Sequence, residues 1–122
     1  MTINFTYFTN EQISEAAYTI RGGLDGAPSN SVLAEVFNLA AGALETEYML
    51  GGGRGWATFR LDLADRKNSE LLGTVQSLHR LAKRLPEGDC LRVVYLQIAL
   101  DLLEMTGQRM ATVRELNAAL SL

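Results

Sequence analysis

The stretch from Asp89 to Met105 constrains the fold more than any other, because its polar side chains lie on one narrow side. At about 100° per residue, Gln97, Asp101 and Glu104 share a single stripe, and almost all the other positions are apolar. A helix that is apolar nearly all round is a buried one. The pattern therefore predicts an all-α, compact bundle in which the other helices pack around a buried helix at about residues 89–106.

Length and composition set further bounds. A chain of 122 residues suits a single helical domain spanning 1–122, and 48% hydrophobic with 20% charged residues is a globular balance. The apolar stretch at 89–105 is too short and too often interrupted by charge to span a bilayer, and residues 1–30 show no secretory signal pattern. The single cysteine excludes an internal disulfide. We therefore expect a cytoplasmic protein that does not contact membranes.

Capping patterns and one-face apolar spacing predict the helices. Thr9-Asn10-Glu11-Gln12 is a capping-box pattern, and Gly22-Gly23 is suited to end the helix that it opens. The further predicted helices are one from residues 29–31 to about Leu50, one over 71–85, the central helix ending at Gly107, and a short last helix from Thr112 through Leu120. Together with the region after Trp56, this makes five or six helices.

Two segments give weaker patterns. Residues 1–8 alternate loosely and are compatible with a strand, but no partner strand is evident, so we expect an extended N-terminal arm. From Trp56 to Asp65 the sequence favours a short helix, and it leaves open whether 56–68 form one helix or two.

Glu47 and Arg92 each fall on the apolar side of their predicted helix. A lone buried charge is costly, so each requires a partner or a route to solvent. One interpretation is a buried ion pair between Glu47 and Arg92. In the alternatives, Arg92 pairs with Asp89, extends to solvent, or binds an anion in a cleft. With Tyr95, the same residues would line the pocket of a small-ligand-binding helical protein.

The glycine run at 51–55 raises the question of a phosphate loop. Such a loop follows a strand and carries a lysine, whereas here a predicted helix precedes the run and no lysine follows it. The simpler interpretation is a helix–helix connection. A further one is that Arg54 and Trp56 contact a partner, because Arg and Trp are enriched among interface hot spots.

His79 and Cys90 are the residues on which metal or nucleophilic chemistry would depend. One histidine and one cysteine cannot supply the three or four protein ligands of a zinc site, and no two carboxylates share the helix of His79 at ligand spacing. Cys90 has no base nearby in the sequence, and we interpret it as a packing residue. We expect no metal, no cofactor and no enzymatic activity.

The net charge of −3 is concentrated before Lys67, which argues against nucleic-acid binding and favours a partner with a basic surface. The leading hypothesis is a non-enzymatic protein-interaction module, a small inhibitor, immunity or adaptor protein that binds and occludes another protein. An apolar stripe left uncovered on the second or last helix would also serve a homodimer. The candidate partner-binding residues are Glu35, Glu45, Arg54, Trp56, Asp62 and Asp65.

The alternative hypothesis is a DNA-binding transcriptional regulator that uses the last two helices. The segment 108–116 resembles the recognition helix of GntR-type winged helix-turn-helix regulators, in which a Ser-Arg-x-Thr-Val-Arg pattern is usual. Here one extra residue separates Arg109 from Thr112-Val113-Arg114. The resemblance implies that Arg109, Thr112 and Arg114 face the groove and the phosphates.

Overall fold

The structure, a computed structural model, describes residues 1–50 and 55–120. Within those ranges the chain forms four α-helices and two short strands, so its mostly helical character is confirmed and the predicted count of five or six helices is wrong. A single 3₁₀ turn at Leu24–Gly26 follows the first helix. The elements are β1 (Thr2–Asn4), α1 (Asn10–Gly23), α2 (Val32–Met49), β2 (Trp56–Thr58), α3 (Asn68–Lys83) and α4 (Cys90–Leu120).

The helices pack as two hairpins, α1 with α2 and α3 with α4. The buried apolar side chains of both hairpins belong to one hydrophobic cluster. Phe37 of α2 and Tyr95 of α4 meet across it, with ring centroids 6.0 Å apart. None of the helices in the described ranges combines the length and the apolar run needed to cross a bilayer.

Several helix ends follow the predicted capping chemistry. The Thr9 hydroxyl accepts a hydrogen bond from the Gln12 backbone N–H at 3.3 Å, and the Gln12 side chain accepts from the Thr9 N–H at 2.8 Å, which confirms the capping box. Ser31 caps α2 by accepting from Ala34 N–H. Asp89 accepts from Leu91 N–H at 2.8 Å and opens α4. These ends were predictable because a cap satisfies backbone donors within one turn.

The predicted short helix from Trp56 to Asp65 is wrong, because its first residues form β2. This strand pairs antiparallel with β1, with Ile3 opposite Ala57 and both side chains fully buried. The Phe5 N–H also donates to the Gly55 carbonyl at 2.8 Å. The partner strand that residues 1–8 require therefore exists, but three residues are too few for alternation to identify it from the sequence.

The helix predicted to end at Gly107 continues without a break to Leu120, so the predicted separate last helix from Thr112 is wrong. A glycine inside a helix costs only about 1 kcal/mol relative to alanine. Contacts of the inner face outweigh this cost. Before the glycine, Leu102 and Thr106 are buried and the Thr106 hydroxyl donates to the Leu102 carbonyl. After it, Arg109 donates to the Leu63 and Arg66 carbonyls.

The prediction that other helices surround α4 is also wrong for one of its faces. α3, α1 and β1 pack against the side that carries Val94, Ile98 and Leu102. The opposite side faces solvent, where Leu100 is 64% exposed and Leu103 47% exposed. The sequence could not reveal this, because a stripe of leucines has the same pattern whether or not a partner covers it.

Candidate protein-interaction site

A groove of about 640 Å³ runs between α1 and the C-terminal end of α2. Ala17, Tyr18 and Gly22 line it from α1, and Tyr48 and Met49 line it from α2. We call these five residues with Arg21 and Glu45 the α1–α2 groove. Tyr18 is 83% exposed and Met49 82% exposed, so large apolar surfaces border a concavity that no part of the described chain fills.

The groove arises from where each helix buries its apolar side. α1 buries Ile13, Ala16 and Ile20, which leaves Tyr18 at the solvent side of the same helix. α2 ends at Met49, and in its last turn Tyr48 is 45% exposed and Met49 82% exposed, so α1 leaves both side chains uncovered. Neither tyrosine was predicted as a site residue. The available signal was Tyr18, an aromatic residue outside the predicted apolar face.

An ion pair joins the two walls of the groove. The Arg21 Nε and Nη2 atoms donate to the two oxygens of Glu45 at 2.8 and 2.9 Å, and Nη1 donates to Asn38 Oδ1 at 3.1 Å. This two-pronged hydrogen bond lowers the pKa of Glu45 and raises the pKa of Arg21. Both side chains are more than 40% exposed, so the pair orients the arginine and adds little to stability.

The remaining charge near the groove is acidic. Glu45 neutralises Arg21, whereas Asp25 lines the groove and Glu11 lies on the same side of α1 as Tyr18. A bound partner would therefore meet apolar side chains with carboxylates at the border.

The predicted acidic residues do not form one surface. Of the four, only Glu45 lies in the groove. Glu35 is 3.7 Å from Arg66 and so is compensated within the chain. Asp62 accepts from the Ala64 N–H at 3.4 Å, and Asp65 is exposed in the segment between β2 and α3.

The structure describes only one residue of the predicted partner contact by Arg54 and Trp56. Arg54 and residues 51–53 lie outside the described residues. Trp56 is 39% exposed and belongs to β2, where its register partner is Asn4. A partner contact by Trp56 would therefore come from a residue whose backbone is held by strand pairing.

The predicted Glu47–Arg92 ion pair joins two residues whose described surroundings differ. Glu47 is 4% exposed and lines a cleft with Thr58 and Phe59. The Arg92 Nη1 atom instead donates to the Leu85 carbonyl at 2.9 Å, just after α3 ends. Tyr95, the third residue of the predicted ligand pocket, is 5% exposed, and its ring packs against Phe37 in the core.

The residues of the DNA-binding alternative are also separated by their contacts. Arg109 is half-buried and donates to the Leu63 and Arg66 carbonyls at 2.5 and 2.9 Å, which ties α4 to the segment before α3. Arg114 is exposed, and the side chain of Thr112 lies outside the described residues. Because α4 is continuous, the turn required between the last two helices of the alternative is missing.

Cys90 is 4% exposed, and burial raises the pKa of its thiol to about 11, with the Asp89 charge adding to the shift. Such a thiol is a packing group with little thiolate at neutral pH. Within residues 1–50 and 55–120, no three His, Cys, Asp or Glu side chains converge as metal ligands do.

The fold and the groove can be compared with those of known proteins. No family model matches the chain, and comparison with curated proteins and with solved structures finds no match.

Proposed function

We propose that this protein acts without catalysis, as a small inhibitor, immunity or adaptor protein that binds another protein through the α1–α2 groove and occludes the bound surface. One observation carries the proposal: two tyrosines and a methionine, all exposed, surround a concavity of about 640 Å³. Tyrosine is among the residue types that dominate interface energetics, and exposed methionine adapts to varied apolar partners. A stable monomer gains nothing by grouping such side chains around an empty groove.

The length of the groove favours a partner that inserts the apolar side chains of a helix. The groove follows α1 from Ser14 and continues along the 3₁₀ turn to Asp25, a stretch of about three helical turns. An amphipathic helix that places apolar residues three and four positions apart matches such a groove. The two tyrosine hydroxyls at the border supply hydrogen-bonding groups for the rim of the contact.

Charge favours a basic flank on that partner. Asp25 at the groove and Glu11 on the same side of α1 are uncompensated by the Arg21–Glu45 pair. Basic residues beside the partner's inserted apolar side chains would accelerate association and would make the association rate sensitive to salt.

The test uses the full chain as bait in a lysate of the source organism, at low and moderate salt and with nuclease treatment in parallel. The variant is Tyr18→Ser, and its matched control is Tyr7→Ser, since Tyr7 is 94% exposed and outside the groove. Both tyrosines are so exposed that neither substitution should lower the melting temperature. We expect a stoichiometric protein partner that Tyr7→Ser retains and Tyr18→Ser loses.

Three results would contradict the proposal. The first is a partner retained equally by both variants, which would place the contact elsewhere. The second is recovery of nucleic acid that depends on Arg114, which would support the DNA-binding alternative. The third is a metabolite that raises the melting temperature of the wild type but not of Tyr18→Ser, which would assign the groove to a small ligand.

A further inference from the structure

The solvent face of α4 carries an apolar row that the described chain covers only in part. Leu100 is 64% exposed, Leu103 47% and Met110 51%. The spacing of three and four residues places them on one side of the helix, opposite the buried Ile98 and Leu102. The full row, which we call the α4 row, is Val93, Leu96, Leu100, Leu103, Gly107 and Met110. Val93 and Leu96 are partly buried in it, and Leu96 also packs against the core. It extends over about 26 Å at 1.5 Å per residue.

Opposite charges bound the row. Asp89 lies four residues before Val93. The Leu91 N–H donates to its carboxylate at 2.8 Å and fixes it at the start of α4. Arg114 lies four residues after Met110 and is exposed. The row therefore begins with a carboxylate and ends with a guanidinium on the same face of one helix.

The row is also symmetric about its centre. From the midpoint between Asp101 and Leu102, its members occur as equidistant pairs. These pairs are Leu100 with Leu103, Leu96 with Gly107, Val93 with Met110, and Asp89 with Arg114. A second α4, antiparallel and related by a two-fold axis at this midpoint, brings each residue opposite the other member of its pair.

We infer that two copies of this chain associate through their α4 rows in this antiparallel register. The contact is isologous, so the same patch serves both copies. Leu100 of one copy packs on Leu103 of the other near the axis. At each end Asp89 meets Arg114, so the two outermost positions contribute charge pairs.

Gly107 fits this register. Apart from the backbone of its own helix, a Cβ added there would meet no described atom within 4 Å, so nothing inside the described chain requires a glycine at this position. Glycine weakens a helix interior. In the antiparallel pair Leu96 of the second copy lies over it, and the absence of a side chain lets the two helices approach closely.

Other arrangements fit the charges less well. A parallel second copy would place Asp89 beside Asp89 and Arg114 beside Arg114, which is repulsive at both ends. An unrelated partner would need its own apolar row with a guanidinium and a carboxylate at the matching ends, which a second copy already has. Because one helix face is smaller than the roughly 800 Å² per partner of a standard interface, we expect dissociation on dilution, with a constant on the order of micromolar.

The experiment is sedimentation velocity of the full chain over a range of concentrations, with circular dichroism to confirm folding. Leu100→Asp places charge at the centre of the contact, and Leu50→Asp is its matched control, since Leu50 is 72% exposed at the end of α2. We expect Leu50→Asp to dimerise as the wild type does. For Leu100→Asp the dissociation constant should rise more than about 30-fold, as for a central hot spot.

Gly107→Leu tests the antiparallel register. Because this substitution should stabilise the monomer, loss of the dimer could not be attributed to unfolding. Leucine forms helices better than glycine, so the monomer should melt at a higher temperature, while the added side chain blocks Leu96 and abolishes the dimer. A wild type that is monomeric at all concentrations would overturn the inference. So would a Leu100→Asp variant that still dimerises, or a Gly107→Leu variant that dimerises normally. Tyr18→Ser leaves dimerisation unchanged, so this result is independent of partner binding.

Discussion

Arg109 donates a 2.5 Å hydrogen bond to the backbone carbonyl of Leu63, which lies 46 residues earlier in the chain. A second bond reaches the Arg66 carbonyl at 2.9 Å. The segment between β2 and α3 is not part of a helix or strand, and these contacts from α4 satisfy two of its carbonyls. Continuation of α4 past Gly107 is what brings the arginine to this segment.

Arg109→Ala should therefore lower the free energy of unfolding by about 2 kcal/mol, because two charge-assisted hydrogen bonds are lost at a half-buried site. Arg114→Ala is the control, since that side chain is exposed and surface substitutions change stability by less than about 0.5 kcal/mol. Urea denaturation in a Leu100→Asp background keeps self-association out of the comparison. Equal stabilities of the two variants would contradict the assigned role of Arg109.

Gly107→Ala should stabilise the monomer by about 1 kcal/mol, because alanine suits a continuous helix better than glycine and has open space here. Gly55→Ala should act in the opposite direction. Gly55 has a φ of +74°, and an added Cβ would lie 3.1 Å from the Cα of Thr6. Thermal and urea unfolding of both variants provide the measurement. A loss of stability in Gly107→Ala would indicate that α4 is broken at this residue.

The Arg21–Glu45 pair should make stability depend on pH in the acidic range. Because Arg21 lowers the folded-state pKa of Glu45, the pair stabilises the fold above the ordinary glutamate pKa of about 4.3. That contribution is lost as the pH falls through the lowered value. Comparison of the wild type with Glu45→Gln between pH 7 and pH 3 isolates it, and exposure limits it to less than about 1 kcal/mol. Identical pH profiles would contradict the prediction.

The Cys90 thiol should react slowly with a thiol reagent such as Ellman's at pH 8. Its side chain is buried, and its pKa of about 11 leaves almost no thiolate at that pH. In denaturant the same thiol should react quickly, which provides the internal control. Rapid labelling of the native protein would show that the start of α4 opens readily.

Local signals allowed the sequence to predict the helical class and several helix starts. The Thr9 capping box and the Asp89 cap are examples, since each depends on residues within one turn. The strand pair was missed because Ile3 and Ala57 are distant in sequence, and each segment becomes a strand only by pairing with the other. Gly107 was misassigned for a related reason, as burial of its neighbours decides whether the helix continues.

The candidate site was less predictable than the fold. Glu45 was identified as a surface acid, but its pairing with Arg21 depends on how α1 and α2 pack. Tyr18 carries no pattern that separates a binding aromatic from an isolated one. The part of the α4 row before Gly107 was predicted as core, because a sequence does not show which apolar stripe lacks a covering element.

The β1–β2 pairing imposes an order on folding during synthesis. Residues 2–4 leave the ribosome early, yet their backbone partners are residues 56–58, and Asn4 also exchanges hydrogen bonds of 2.6 and 2.9 Å with Gln97. The α1–α2 hairpin joins residues that are closer in sequence, so it can form before β1 has a partner strand. Residues 2–4 thus complete their contacts only when α4 is made, and their docking joins the first hairpin to the second.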